Sequence, residues 1–212
     1  MDIQSRPAEP RDEPFIYATW LTKLISGEAQ CEWSLWFRAR HTFEKMQSGS
    51  NLDAWTKEHD ALLQWRASKL REQGVQPLIE RGFSVNGRTA TIKGKADLTY
   101  DLDRVLWIEE CKTGKRRDSD HVQALIYVWL AELGGLPTAE ARIIYRDDIV
   151  DVDRSRLPEI RKDALRLIKL TTESTPPLRV PSVLECRSCN ISSLYCPDRA
   201  VSGDDIFTTD AF

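Results

Sequence analysis

One run, Val105-Leu106-Trp107-Ile108-Glu109-Glu110-Cys111-Lys112, constrains this chain more than any other. Its apolar residues mark a buried strand, yet it ends on two carboxylates and a lysine. Alternate side chains of a strand share a face, so Leu106, Ile108, Glu110 and Lys112 point one way and Trp107, Glu109 and Cys111 the other. That register sets a carboxylate beside an ammonium group, an arrangement suited to hydrolysis. Taking Glu109 instead would pair it with Cys111 and lose the lysine, so Glu110 is the candidate ligand.

The flanking segments add to this strand. Asp97 stands on the preceding one, in Gly94-Lys95-Ala96-Asp97-Leu98. With Glu110 it offers the hard oxygen ligands that suit Mg²⁺ or Mn²⁺. A cation held there would polarise a phosphodiester and acidify its water, while Lys112 orients that water or neutralises developing charge. The following segment, Asp120 to Leu133, has helical periodicity and carries Gln123 and Tyr127 four residues apart, on one face. Leu125, Ile126 and Leu130 already supply a core there. Gln123 is therefore expected to orient the lysine or a phosphate, and Tyr127 to contact a DNA backbone or stack on a base. His59, on an upstream helix, could complete the coordination and would favour Mn²⁺.

The wider chain reads as one domain of helices, then strands, then helix, strand and helix: a mixed α/β sheet. Residues 1–14 are rich in Pro, Asp, Glu and Arg and are expected to be disordered. Helices are expected between Phe15 and Gln47, broken near Gly27, and from Leu52 to Gln73 with Asp53 as N-cap and Gly74 as stop. The sheet should begin at Phe83 with a hairpin whose Asn86-Gly87 suits a type I′ turn. Further elements are a turn from Asp101 to Arg104, a strand from Ala141 to Tyr145 and an amphipathic helix from Arg156 to about Leu170. A cysteine-bearing segment follows Pro176-Pro177, and residues 198–212 read as a flexible acidic tail.

No apolar run approaches the roughly 20 residues needed to span a bilayer, and the start lacks an export pattern, so a cytoplasmic protein is expected. Net charge is −3, so nucleic-acid binding would rest on local clusters. Those clusters are Lys93 with Lys95, Arg38 and Arg40 with His41, and Lys112 with Lys115, Arg116 and Arg117. The last three are candidates for phosphate contacts.

Asp97, Glu110-x-Lys112 and Gln123-x3-Tyr127 resemble the motifs of the PD-(D/E)XK superfamily, specifically its RecB-type nucleases. The resemblance spans roughly Tyr17 to Pro197 and implies a restriction-endonuclease-like mixed sheet flanked by helices, occupying residues 15–197. It also implies that His59 is a metal ligand and that the backbone carbonyl of Cys111 joins Asp97 and Glu110 around the cation. The glycine such nucleases often carry shortly before that histidine is absent here, where Thr56 stands.

The five cysteines are Cys31, Cys111, Cys186, Cys189 and Cys196. Cys186-x2-Cys189-x6-Cys196 is compact enough for three ligands of one metal centre. Cys111 should face the core, which leaves Cys31 as the fourth. Four thiolates suit zinc or a [4Fe–4S] cluster, and spacing does not separate them. The resemblance favours the cluster, since a subset of RecB-type nucleases has one early and three late cysteines that tie the chain ends together. The compact length is most similar to the CRISPR-associated exonucleases of that subset.

The expectation is thus a metal-dependent DNA exonuclease acting on single-stranded ends, trimming DNA before spacer integration beside a CRISPR integrase complex. The alternative is a DNA-end-binding adaptor of an integration or repair complex with little cleavage of its own.

Overall fold

The computed structural model describes residues 7–46, 52–136 and 138–200. In chain order the elements are β1 (Glu9–Pro10), β2 (Phe15–Tyr17), α1 (Ala18–Ile25), α2 (Glu32–Arg40), β3 (His41–Thr42) and α3 (Leu52–Glu72). The sheet-forming half continues with β4 (Leu78–Asn86), β5 (Thr91–Leu102), β6 (Val105–Lys112), α4 (Asp118–Leu133), β7 (Ala139–Tyr145) and β8 (Ile149–Asp151). The helices α5 (Leu157–Thr172) and α6 (Val183–Ser188) close it.

The main sheet runs β2-β5-β6-β7-β8, with β4 paired to β5. Pairing is parallel for β2 with β5 and for β6 with β7, and antiparallel elsewhere in that sheet. It is a mixed sheet flanked by helices, as expected. One face packs against α4, whose residues are buried nearly all round because the sheet, α1 and α5 surround it. Leu125, Ile126 and Leu130 are fully buried there, each contributing about 1.5–3 kcal/mol. The opposite face packs against α3 through Leu62, Leu63, Ala67 and Leu70, and Cys111 lies in that layer.

Two features of β5 make room for a site. β2 pairs with it over Thr91–Lys93 and β6 only from Leu98, so the edge is open between these registers. Ala96 belongs to the α4-side core and Leu98 to the α3-side core, so the period-two alternation breaks at Asp97. β6 meanwhile continues along β7 to Lys112 and diverges from β5.

Several local expectations are corrected. The run of consecutive strands begins at Leu78 rather than Phe83, and Phe15–Tyr17 is an earlier strand of the same sheet because β5 offers it a pairing edge. Asn86-Gly87 does not make the two-residue turn: Asn86 pairs with Thr91, and the loop lengthens so that Ala90 enters the core. Positive φ at two successive residues, the mark of a type I′ turn, occurs instead at Asp103 (53°) and Arg104 (65°), where Leu102 pairs with Val105. Glu9–Pro10 pairs with His41–Thr42, so order begins before residue 15. Asp198 bonds to Arg179, and Arg199 to the carbonyls of Cys186, Cys189 and Ile191, so folded contacts run into the expected tail. Residues 1–6 and 201–212, and the side chain of Asp53, lie outside the described set. Among the described residues no helix is long and apolar enough to cross a membrane.

Candidate active site

The splay of β5 from β6 leaves backbone donors without strand partners, and carboxylates take them. The Cys111 N–H donates to Asp97 Oδ2 at 2.8 Å, and the Asp97 N–H donates to Glu110 Oε1 at 3.3 Å. Each strand thus fixes the acid of the other. Across the gap α3 brings His59, whose Nε2 lies 3.2 Å from Asp97 Oδ2. That hydrogen bond raises the imidazole pKa, against the effect of burial.

On the α4 side, Lys112 Nζ donates to Glu110 Oε2 at 3.1 Å and to Gln123 Oε1 at 3.0 Å. Gln123 Nε2 donates to Glu110 Oε2 at 2.8 Å and lies 3.2 Å from the Tyr127 hydroxyl. The amide is therefore a bridge, its oxygen on the lysine and its nitrogen on the acid the lysine serves. Glu110 is 1% exposed. Burial and the adjacent Asp97 carboxylate push its pKa well above the carboxylate range. For Lys112, burial opposes the charge, but Glu110 and Asp97 outweigh it and the pKa rises. The ammonium form is held where negative charge converges.

Asp97, Glu110, Lys112, Gln123, Tyr127 and His59 thus stand in one connected network. Tyr127 corrects one expectation, since it is 1% exposed and its ring is core. It lies so close to Gly94 that a Cβ there would approach Cε1 to 2.5 Å. Only its hydroxyl serves the network, so it is not placed to stack on a base. The Cys111 thiol faces away from the site, as expected, and burial raises its pKa.

Behind Glu110 stands a set that sequence reasoning missed. Glu109 is fully buried on the α3 face, where Arg66 and the Tyr100 hydroxyl donate to it. A signal existed: Arg66 follows His59 by two helical turns and so shares its face. The exposed Trp55 ring stacks on His59, with centroids 5.3 Å apart.

The basic run has mixed fates. Arg116 bonds Asp148 at 2.8 Å and lies over the Tyr145 ring, while Arg117 caps α4. Lys115 is exposed in a cleft of about 330 Å³ that also contains Lys112 and Arg146. Lys95 pairs with Glu80, and Arg40 bonds the Thr171 carbonyl beneath the Trp36 ring, so neither belongs to a free cationic cluster.

Cys31, Cys186, Cys189 and Cys196 are free thiols that line one cavity of about 410 Å³. Arg38 donates to Cys189 Sγ at 3.4 Å, and Arg199 gathers the loop carbonyls. Burial raises the Cys196 pKa, Arg179 lowers it, and the other three thiols raise it. The four sulfurs are chemically apt for a soft metal centre, and the two carboxylates with an imidazole for a hard one. Among the described residues, no group of three or more His, Cys, Asp or Glu side chains is arranged to hold a metal ion as it stands. At the carboxylate site Glu110 Oε2 faces the Lys112 and Gln123 donors, and Asp97 Oδ2 faces the Cys111 N–H and His59.

No protein-family model and no curated protein matches this sequence. In three dimensions the chain is similar to a candidate exonuclease from Eubacterium rectale, with a TM-score of 0.53 and 13% identity over 90% of each chain. The likeness to a protein called SSO0001 is looser, at a TM-score of 0.45 and 18% identity over 91% of each chain. The first likeness establishes the fold: a mixed sheet flanked by helices, shared with a protein that carries the name of an exonuclease.

Proposed function

We propose that this protein is a metal-dependent DNA exonuclease acting on single-stranded ends. The observation that carries the reading is the Glu110–Lys112–Gln123 network beside Asp97 and His59, at a strand splay next to a cationic cleft. The fold likeness to a candidate exonuclease supports it.

In this reading Asp97, Glu110, His59 and the Cys111 carbonyl hold Mg²⁺ or Mn²⁺, and the bound cation supplies Lewis-acid polarisation of a phosphodiester. Lys112, held as an ammonium, would meet the negative charge that builds on the phosphoryl oxygens. Gln123 keeps that ammonium on the Glu110 side, and Tyr127 limits the rotation of Gln123. Lys115 and Arg116 contact the strand backbone. Cys31, Cys186, Cys189 and Cys196 hold a [4Fe–4S] cluster, with zinc as the alternative occupant. Trimming DNA ends for CRISPR spacer acquisition, in the cytoplasm and beside an integrase complex, is the context the resemblance favours.

A second reading, a DNA-end-binding adaptor with little cleavage, draws on the closure of Glu110 by Lys112 and Gln123. The test is digestion of single-stranded DNA labelled at either end, with Mn²⁺ or Mg²⁺, by wild type and by Lys112→Ala. Metal-dependent loss of label that disappears in Lys112→Ala supports the nuclease and gives its polarity. Intact substrate with folded wild type favours the adaptor.

A further inference from the structure

A second cavity, of about 320 Å³, lies where the N-terminal strands meet the cysteine segment. Phe15, Tyr17, Trp20 and Phe43 give it aromatic walls, and Arg11 and Lys45 give it charge. Tyr17 is 43% exposed and sits edge-on to both Phe15 and Trp20, with centroids at 4.8 Å and 5.1 Å, so the three rings form one contiguous edge-to-face cluster. Two further wall residues carry buried atoms without a hydrogen-bond partner: Arg38 Nε, a donor, and Asn190 Oδ1, an acceptor.

Flat, accessible aromatic rings between flanking cations match one ligand chemistry, a nucleobase with its phosphate. We propose that this cavity is a second subsite for an unpaired base of single-stranded DNA. It rests on the nuclease reading for the strand's direction of travel. Tyr17 pairs with Lys93, four residues before Asp97 on β5, so the subsite lies roughly 13 Å along the strand from the candidate active site. Arg38 also bonds Cys189, and Asn190 follows it, so the cysteine segment builds the pocket wall as well as closing the chain. The subsite would hold a passing strand while the active site works on its end.

The test is fluorescence anisotropy with a short labelled oligothymidine and its abasic counterpart, without added divalent metal, on protein purified anaerobically. Wild type should prefer the oligothymidine. Tyr17→Ala should weaken that binding roughly tenfold, to the abasic level, with an unchanged melting temperature, and Tyr17→Phe should restore it. Should Tyr17→Ala melt early, Lys45→Ala, an exposed side chain, is expected to weaken binding with a shallower salt dependence. Equal binding by wild type and Tyr17→Ala, equal affinity for abasic DNA, or no binding by wild type overturns the subsite. Tyr17-dependent binding without cleavage would sink the nuclease reading and leave the subsite standing. Cleavage with Tyr17-independent binding would do the reverse.

Discussion

Arg66 meets Glu109 through two parallel hydrogen bonds, Nε to Oε2 at 2.7 Å and Nη2 to Oε1 at 2.6 Å, with the carboxylate fully buried. The pair joins α3 to β6. Arg66 lies two turns beyond His59, and Glu109 is adjacent to Glu110, so one ion pair sets the separation of two candidate ligands. Removing one partner strands a charge in the core. Arg66→Ala is expected to destabilise the protein by about 3–5 kcal/mol in chemical denaturation. The double substitution Arg66→Met with Glu109→Leu should recover most of that loss. An additive double-mutant cycle would show that the pair is not coupled.

The Tyr100 hydroxyl donates to the same carboxylate at 2.8 Å, and burial with the Glu109 charge pushes its pKa up to about 12. The unfolded value is about 10, so this contribution is complete below pH 10 and is lost as the pH rises from about 10 to about 12. The loss should reach about 2–3 kcal/mol once the phenol is ionised in both states. Burial raises Tyr127 and Tyr145 as well, so the comparison that isolates Tyr100 is wild type against Tyr100→Phe. The variant should lose less stability over that alkaline interval, and parallel curves would count against the assignment.

Gly94 lets Tyr127 approach β5. An added Cβ would stand 2.5 Å from Cε1, 3.0 Å from Cδ1 and 3.2 Å from the Ala18 Cβ, against a ring with no room to retreat. Gly94→Ala is expected to cost about 1–3 kcal/mol of stability. Because the Tyr127 hydroxyl meets Gln123, cleavage should slow as well, more than in a surface control such as Gly82→Ala. A melting temperature and rate equal to wild type would show that the ring yields freely.

The cysteine cavity leads to a metal-removal prediction. Protein purified anaerobically should be brown and contain iron, and Cys186→Ser should lower iron content and melting temperature together. Cys111→Ala should keep its iron, because that thiol faces α3. Colourless protein carrying zinc would assign the site to zinc instead. Iron and melting unchanged in Cys186→Ser would remove the cysteine role.

How much of this could be read from the chain depends on the range over which each interaction acts. The facing of Glu110 and Lys112, and the opposite facing of Cys111, follow from a period of two along β6. The common face of Gln123 and Tyr127 follows from the helical repeat of α4. These are local rules, and the structure obeys them. The same rules misjudged Tyr127, because periodicity says which face a residue takes but not how deeply neighbouring elements cover it. α1 and β5 close over that ring.

The sequence by itself determined the chemistry available at each position and the order of the central strands and helices. Only the tertiary structure decided that β5 and β6 part at Asp97, that His59 reaches an aspartate 38 residues away, and that Arg66 supports Glu109. It also decided that four cysteines from the two ends of the chain share one cavity. The physical reason is that side-chain facing is set by backbone geometry within a few residues. Which faces meet, and where a strand pair stops, depends on twist, register and packing summed over the whole chain.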